Sequence, residues 1–209
     1  MNPETKFFMG LMELQYGQKV EHKLRKLAPK IPWAKGWPEH KQAFWNAEAF
    51  MWSRKIEKET RALITRELKY LTKGKNLDLG CGAYSYIPSV GLDFSPRMLH
   101  LNDNCYEKIP GDLEQPLPLP DEHFDSVTAI FVLNYIQSSE QLVLEIGRIL
   151  KPRGKFVIVM SATKINRWQR QKQVNDYSVQ KWKRVVQNKG FKVKVYEKEK
   201  LWFLKGLKI

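Results

Sequence analysis

The sequence predicts an α/β fold in three layers, a doubly wound and mostly parallel sheet with helices on both faces. Strand-like and helix-like segments alternate through residues 74–209, the predicted sheet domain. With 209 residues, 43% of them hydrophobic, the chain can bury one sizeable core. The last two strand-like segments, 191–197 and 201–208, are joined only by "EKEK", so we expect a C-terminal antiparallel hairpin.

The first 73 residues are predicted to form an N-terminal helical extension that caps the substrate side of the sheet domain. Residues 3–30 are helical in pattern until Pro29 and Pro32 interrupt them. Residues 38–71 then indicate one long helix with an approximate apolar face, which ends before the sequence "TKGK".

The sheet domain begins with a short apolar strand and then alternates strands with helices. We expect strands at 76–80, 89–93, 107–110, 126–133, 155–160, 191–197 and 201–208. We expect helices at 96–104, 138–150 and 177–189.

The net charge of +14 is distributed unevenly. Residues 1–75 hold 16 Lys/Arg and 8 Asp/Glu (+8), residues 76–160 hold 6 and 11 (−5), and residues 161–209 hold 14 and 3 (+11). Two basic flanks therefore surround an acidic middle, which can steer an anionic partner. A lysine-rich surface of thermophile type would normally add Glu alongside Lys. An anionic partner and a merely solvated basic surface both remain open.

Several classes of protein are disfavoured by composition. The chain has no run of 18 apolar residues, so we expect no membrane-spanning helix. The N-terminus has an early acid and a broken apolar patch, so we expect no secretory signal. Cys81 and Cys105 suit neither a disulfide framework nor a zinc site, and the four histidines show no ligand spacing. A cytoplasmic protein without a metal is the expectation.

The stretch "NLDLGCGAYSY" predicts a strand that runs into a glycine loop. Gly80 and Gly82 would let the backbone approach a ligand, and free N–H groups there favour a carboxylate or phosphate. A dinucleotide fingerprint would need a glycine where Ser85 stands and an acid about 20 residues on, but Asp93 lies 15 beyond Asp78 (93 − 78). No G-K-[ST] follows, so a P-loop is also disfavoured.

Four ordered blocks, "NLDLGCG", "VGLDFSPRML", "PGDLEQPLPLPDEHFDSVTAIFVLNYI" and "EIGRILKPRGKFVIV", carry a family resemblance. Together they resemble class I S-adenosylmethionine-dependent methyltransferases of the broad methyltransferase-11 type, over roughly residues 74 to 208. The resemblance implies a Rossmann-like fold, S-adenosylmethionine as the cofactor and methyl transfer as the activity. It does not identify the substrate.

The resemblance also implies roles for particular residues. Asp78 and the backbone of Gly80–Gly82 would line the methionine part of the cofactor. Asp93 would accept hydrogen bonds from both ribose hydroxyls, which suits a carboxylate with two acceptor oxygens. Asp112 would accept from the adenine amine, and the Leu113 N–H would reach a ring nitrogen. Taken alone, Asp93 or Asp112 would more simply be a loop residue or the N-cap of a helix. The four ordered blocks favour the cofactor roles.

Aromatic residues complete the set of cofactor candidates. Phe94 and Phe131, with Met98, are candidates for packing against the cofactor, although core packing is the simpler explanation for Phe94 and Met98. The family's third loop glycine is replaced by Tyr84, and the following segment is too short for a normal helix. Tyr84 would therefore contact the cofactor, face the substrate or fill the space of the lost helix.

The substrate is less well determined. Asn134 and Tyr135, at the end of the fourth strand, are the candidate catalytic residues, although Asn134 would also suit a cap for the next helix. The absence of N-P-P-Y disfavours methylation of a base amine. The two flanks combine basic and aromatic residues, which suit phosphates and stacked bases. The candidate substrate contacts there are Trp45, Arg54, Arg167, Trp168 and Arg170.

Three functions follow from these patterns. The first is a methyltransferase for RNA or another anionic macromolecule, suggested by the basic flanks. The second is a small-molecule methyltransferase with an apolar pocket under the N-terminal helices, lined by Trp45, Phe50 and Trp52. The third is a non-catalytic binding protein that retains the fold.

Overall fold

The structure, a computed structural model, describes residues 1–71, 74–163, 170 and 172–209, without the side chains of residues 53 and 54. The strands are β1 (Asn76–Leu79), β2 (Ser89–Asp93), β3 (Cys105–Pro110), β4 (Phe124–Ile130), β5 (Leu150–Ser161), β6 (Phe191–Lys198) and β7 (Leu201–Lys208). The helices are α1 (Pro3–Gln15), α2 (Glu21–Leu27), α3 (Lys41–Lys55), α4 (Lys58–Leu68), α5 (Pro96–Leu101), α6 (Ser139–Ile149) and α7 (Val179–Gln187). Short 3₁₀ helices span Ala28–Lys30, Pro32–Ala34 and Leu133–Tyr135.

The strands form one sheet in the order β3-β2-β1-β4-β5-β7-β6. β1 to β5 are parallel where they pair, whereas β7 is antiparallel to both β5 and β6. The predicted three-layer α/β fold with a C-terminal hairpin is confirmed. Strand order reverses between β1 and β4, and ligands of such sheets bind at the carboxyl ends of the strands near that point.

Both faces of the sheet are covered, which explains why β1 and β2 are buried along their whole length. α6 and α7 cover one face, where the fully buried Trp182 joins a core that includes Phe124 and Phe156. α4 covers the other face by packing Leu63, Ile64 and Leu68 against β5 and β7. Residues 58–68 therefore belong to the core of the sheet, although they precede it in the sequence.

The remaining N-terminal elements form a second apolar core. Phe7 is fully buried and lies edge-on to Trp33 and Trp37, with ring centroids 5.7 and 5.4 Å away. The same cluster includes Ala83 and Tyr135 from the sheet domain. This cap therefore sits directly on the carboxyl edge of the sheet.

Two N-terminal predictions are wrong in detail. Residues 3–30 form two helices and a 3₁₀ turn instead of one helix. The predicted long helix over residues 38–71 is broken at Ile56, whose φ and ψ of −101° and 119° are extended. α3 is buried inside the cap and α4 packs on the sheet, so one straight axis cannot serve both cores. No Gly or Pro marks this break in the sequence.

Among the described residues, no helix has the length and apolar character needed to cross a membrane. The same residues contain no group of three or more His, Cys, Asp or Glu side chains placed to hold a metal ion.

Candidate functional site

The glycine loop after β1 forms the floor of a crevice at the carboxyl edge of the sheet. Gly80 and Gly82 have φ of +59° and +58°, a left-handed conformation that favours glycine. A Cβ on Gly80 would lie 2.4 Å from Val132 Cγ2, and one on Gly82 would lie 3.0 Å from Trp52 Nε1. The backbone conformation favours glycine at both positions, and at Gly80 a side chain would also collide with Val132.

Asp93, the last residue of β2, ties this loop to the turn that follows. Its Oδ2 accepts from the Gly82 N–H at 3.0 Å and its Oδ1 from the Ser95 N–H at 2.8 Å. The carboxyl is buried, and burial raises its pKa to about 6 despite the backbone hydrogen bonds from Ser95 and Gly82. The side chain still lines the crevice.

Asp78 lies beneath the loop, apart from the residues that line the crevice. Its two oxygens accept from Ser85 Oγ at 2.6 Å and Thr128 Oγ1 at 2.7 Å. Burial raises the pKa of this carboxyl to about 6 as well. The structure thus gives Asp78 a scaffolding position that joins β1, β4 and the loop.

Ser85 and Asn102 support the loop, and sequence reasoning missed both. Asn102 donates from Nδ2 to the carbonyls of Cys81 and Gly82, at 3.3 and 3.0 Å, and its Oδ1 accepts from the Ser85 N–H. Ser85 is the residue that breaks the dinucleotide fingerprint. Its small hydroxyl, absent from glycine, is what holds Asp78.

Tyr84 points away from the crevice. Its ring packs edge-on to Tyr86 at 5.2 Å, and the Arg61 guanidinium of α4 lies over it at 4.3 Å. Both tyrosines join the cluster under α4, in the segment where a helix would otherwise follow β1. Of the three alternatives for Tyr84, this position corresponds to filling the space of the lost helix.

α3 closes the crevice from above. Gln42 Nε2 donates to the Phe94 carbonyl at 2.8 Å, and Asn46 Oδ1 accepts from Ser95 Oγ at 2.7 Å. The crevice has a volume of about 580 Å³, mouth included. Its lining includes these cap and sheet residues: Lys41, Trp45, Trp52, Gly80, Gly82, Asp93, Phe94, Met98, Asp112, Leu113, Phe131 and Tyr135.

Asp112 and Leu113 follow β3 and lie in the same crevice as Asp93. Asp112 Oδ1 accepts from the Glu114 N–H at 3.0 Å, which orients the carboxylate. The structure therefore brings together both predicted acids, both glycines and the predicted aromatics Phe94 and Phe131.

A second cavity, of about 1000 Å³ with its mouth, adjoins the first. Trp52, Phe131, Val132 and Tyr135 line both cavities and form a shared wall. Asn134 lines only the second of these two. The remaining lining is mixed, with apolar Ile56, Leu133, Met160 and Leu201 beside polar Lys55, Glu57, Thr60, Ser161 and Thr163.

The segment around Asn134 is held by the C-terminal flank. The Asn134 carbonyl accepts from the Val174 N–H at 2.9 Å, and Asn175 Nδ2 donates to the carbonyls of Leu133 and Ile136. Ser138, not Asn134, occupies the N-cap position of α6. Asn134 therefore lines the second cavity and does not cap α6.

The flank candidates are only partly placed. Trp45 packs edge-on to Tyr135 at 4.8 Å, inside the crevice. Arg170 is exposed. Arg167, Trp168 and the side chain of Arg54 lie outside the described residues.

Residues 77–158 match the methyltransferase domain family. The demethylmenaquinone methyltransferase of Tropheryma whipplei is 32% identical over 94 residues, which are 39% of this chain and 39% of that protein. The ubiquinone/menaquinone biosynthesis C-methyltransferase UbiE of Geotalea daltonii is 26% identical over 127 residues, 52% of this chain and 54% of that protein. The chain thus spans about half, or less, of these relatives' length.

A solved structure shows the same fold. The S-adenosylmethionine-dependent methyltransferase from Thermotoga maritima superposes with a TM-score of 0.65 at 17% identity, over 81% of this chain and 100% of that chain. The predicted resemblance to class I S-adenosylmethionine-dependent methyltransferases is confirmed, and S-adenosylmethionine is the cofactor of this type of domain.

Proposed function

On the premise that residues 77–158 are a methyltransferase domain in a class I fold, we propose a methyltransferase whose acceptor is a small, largely apolar molecule. The first cavity would hold S-adenosylmethionine and the second would hold the acceptor. The observation that carries this proposal is the shared wall of Trp52, Phe131, Val132 and Tyr135. Methyl transfer needs two ligands in line and in contact, and two adjoining cavities supply such a geometry.

The residues of the crevice fit the cofactor. Asp93 supplies carboxylate oxygens for ribose hydroxyls, and Asp112 supplies an acceptor for the adenine amine. The backbone at Gly80 and Gly82 leaves room for the amino-acid part, because neither residue carries a side chain. When bound, S-adenosylmethionine supplies a methyl group already activated by its sulfonium, so the protein chiefly aligns the acceptor and excludes water.

Tyr135 and Asn134 are proposed to orient the acceptor. Burial, and secondly the charge of Glu48, raise the pKa of the Tyr135 hydroxyl, so it stays protonated at neutral pH. A protonated phenol donates a hydrogen bond but does not serve as a general base. The Asn134 amide can likewise hold a polar group of the acceptor without taking its proton.

The character of the shared wall favours a small acceptor over RNA. The wall is aromatic and apolar, and α3 contributes Trp52 to it, whereas an RNA base would need an open basic face at this edge. The names of two relatives also refer to quinones, which are small and apolar. The expected contacts to RNA from Arg167 and Trp168 lie outside the described residues.

Transfer of a labelled methyl group to a fractionated cell extract tests the proposal. We expect the label in small molecules that partition into organic solvent. Label confined to RNA or to protein would contradict the proposed acceptor. Binding of S-adenosylmethionine without any transfer would support the non-catalytic alternative.

Thr60 of α4 allows the second cavity to be blocked without touching the first, because it lines only the second. We expect Thr60→Phe to lower methyl transfer at least about tenfold by filling acceptor space. Affinity for S-adenosylhomocysteine, measured by calorimetry, should stay within about twofold. Glu59→Phe, at the exposed neighbouring position, is the matched control and should transfer normally. Equal losses in both variants would refute the acceptor site.

Cofactor affinity should depend on pH through Asp93. Burial raises the pKa of this carboxyl to about 6 from the ordinary 3.8. Hydroxyl donors of a ribose favour the ionised form, so binding should release a proton near pH 6 and weaken about tenfold between pH 7 and pH 5. Calorimetry with S-adenosylhomocysteine in buffers of different ionisation enthalpy measures both effects.

The ligand-free protein should show the opposite trend in stability. Because Asp93 and Asp78 are both harder to ionise when folded, the folded state binds more protons between about pH 4 and pH 6. The contribution of these two carboxyls to the free energy of unfolding should therefore fall as pH rises through that window. An affinity that does not change between pH 5 and pH 7 would contradict the proposed role of Asp93.

A further inference from the structure

β6 is the last strand of the sheet and, among the described residues, has a neighbouring strand, β7, on one side only. We propose that β6 is a docking edge for an acidic, extended segment of a partner protein, which adds to the sheet as a further strand. Alternate N–H and C=O groups of an edge strand point outward and can pair with an added strand. The side chains of β6 indicate what kind of sequence the added partner strand should have.

One face of β6 carries a row of lysines. Lys192, Lys194 and Lys198 occupy even-numbered positions with Tyr196 between the last two and so lie on one face, where positions two residues apart are separated by about 6.6 Å. Lys192 and Lys194 are exposed. An extended partner with an acid at every second position repeats at the same spacing, so its carboxylates match the lysines in register.

The lysines of β6 and the neighbouring strands lie closer together than is favourable for the stability of the sheet. Lys194 lies directly opposite Lys205 of β7, and Lys192 and Lys155 flank Leu207 across three strands. Like charges directly opposite each other destabilise a sheet. A cluster of this kind is therefore better explained by a role in recognition than by one in folding.

One carboxylate neutralises part of this positive charge. Glu67 of α4 accepts from Lys198 Nζ at 2.9 Å, from Lys205 Nζ at 2.8 Å and from the Tyr196 hydroxyl. Within the described part of the chain, Lys192 and Lys194 have no ion pair. The lysine face of the edge thus presents positive charge at Lys192 and Lys194 that no ion pair within the described residues compensates.

The opposite face of β6 is apolar from Phe191 to Val195 and ends in the exposed Glu197. Val193 and Val195 are half-buried and pack against the main core, which leaves part of each side chain open beside the edge. A partner strand that alternates acidic and apolar residues would satisfy both faces at once. A second copy of β6 would place lysine against lysine, so the pattern rejects self-pairing.

The surface beside the edge is concave. Tyr70, Tyr196 and Lys205 border a groove of about 1200 Å³, mouth included, under the end of α4. The lysines alone would also attract a phosphodiester chain. The open backbone edge and the valine face favour a peptide, because a nucleic acid uses neither.

Fluorescence anisotropy with a labelled ten-residue peptide of alternating Glu and Val tests the proposal on the full chain. We expect binding that Lys192→Glu/Lys194→Glu weakens at least about tenfold. The same variant should gain binding of an alternating Lys-Val peptide. It should also fold, because the carboxylate introduced by Lys194→Glu would face Lys205 as a favourable cross-strand pair.

Controls separate strand pairing from general charge attraction. Lys19→Glu/Lys23→Glu removes the same charge at exposed positions at and near the start of α2 and should change affinity by less than about twofold. A peptide with five Glu followed by five Val should bind at least about tenfold more weakly than the alternating peptide. The proposal fails if the block peptide binds equally, if both double variants lose binding alike, or if oligouridylate binds β6 more tightly than the peptide.

Discussion

Replacing Asp93 with asparagine is expected to weaken binding of S-adenosylhomocysteine by about 100-fold or more, which corresponds to about 2.7 kcal/mol. Both oxygens of Asp93 accept backbone hydrogen bonds, from Gly82 and Ser95. An asparagine replaces one acceptor with an N–H₂ donor, so one buried N–H would face another donor. The change therefore distorts the glycine loop and also removes a carboxylate proposed to bind the ribose.

Calorimetry measures the loss, and thermal unfolding shows how much of it reflects the loop. Asp103→Asn is the matched control, because Asp103 is exposed and lies outside both cavities. We expect that variant to bind within about twofold of the parent protein. An affinity of Asp93→Asn close to that of the parent would show that the crevice does not bind the cofactor through Asp93.

Replacing Gly206 with alanine is expected to lower the free energy of unfolding by about 3 kcal/mol or more. Gly206 of β7 pairs with Phe156 of β5, and the phenyl ring lies over the glycine. A Cβ at Gly206 would lie 1.9 and 2.1 Å from two ring carbons of Phe156. The fully buried ring has no free space, so the strands must separate or the ring must leave its rotamer.

Thermal and denaturant unfolding measure this loss, which should lower the melting temperature by about 6–12 °C. Gly147→Ala is the matched control, because the same added methyl there would meet Phe191 at an ordinary 3.6 Å. Gly147 lies inside α6, so alanine should stabilise by about 0.5–1 kcal/mol. Similar destabilisation of both variants would contradict the packing assigned to Gly206.

Local patterns predicted most of the sheet domain. Apolar runs bounded by turn residues gave β1, β2, β6 and β7 within one or two residues, since these strands pack by simple alternation or complete burial. The N-terminal region was predicted less well. The break at Ile56 has no local marker in the sequence. It arises because α3 packs into the core of the cap whereas α4 packs into a core on the sheet.

The residues of the candidate site also fall into those that the sequence predicted and those that only the structure revealed. Asp93 and Asp112 were predicted from the family resemblance, and the structure has both lining one crevice at the carboxyl edge of the parallel sheet. The scaffolding contact of Ser85 with Asp78 was not predicted, because a strand residue and a residue of the loop that follows it have no fixed spatial relation. Nor could the sequence show that Trp52, from the cap, shares a wall with Phe131, from the sheet.

By itself, the sequence determined the order of strands and helices in the sheet domain and the glycine loop, because periodicity and backbone conformation are local properties. The two acids came from the resemblance of the ordered sequence blocks to a known family. Only the tertiary structure decided that α3 closes the crevice, that a second cavity adjoins the first and that lysines gather at the β6 edge. These features depend on which distant surfaces pack together, and packing is set by the shape and charge of the whole chain.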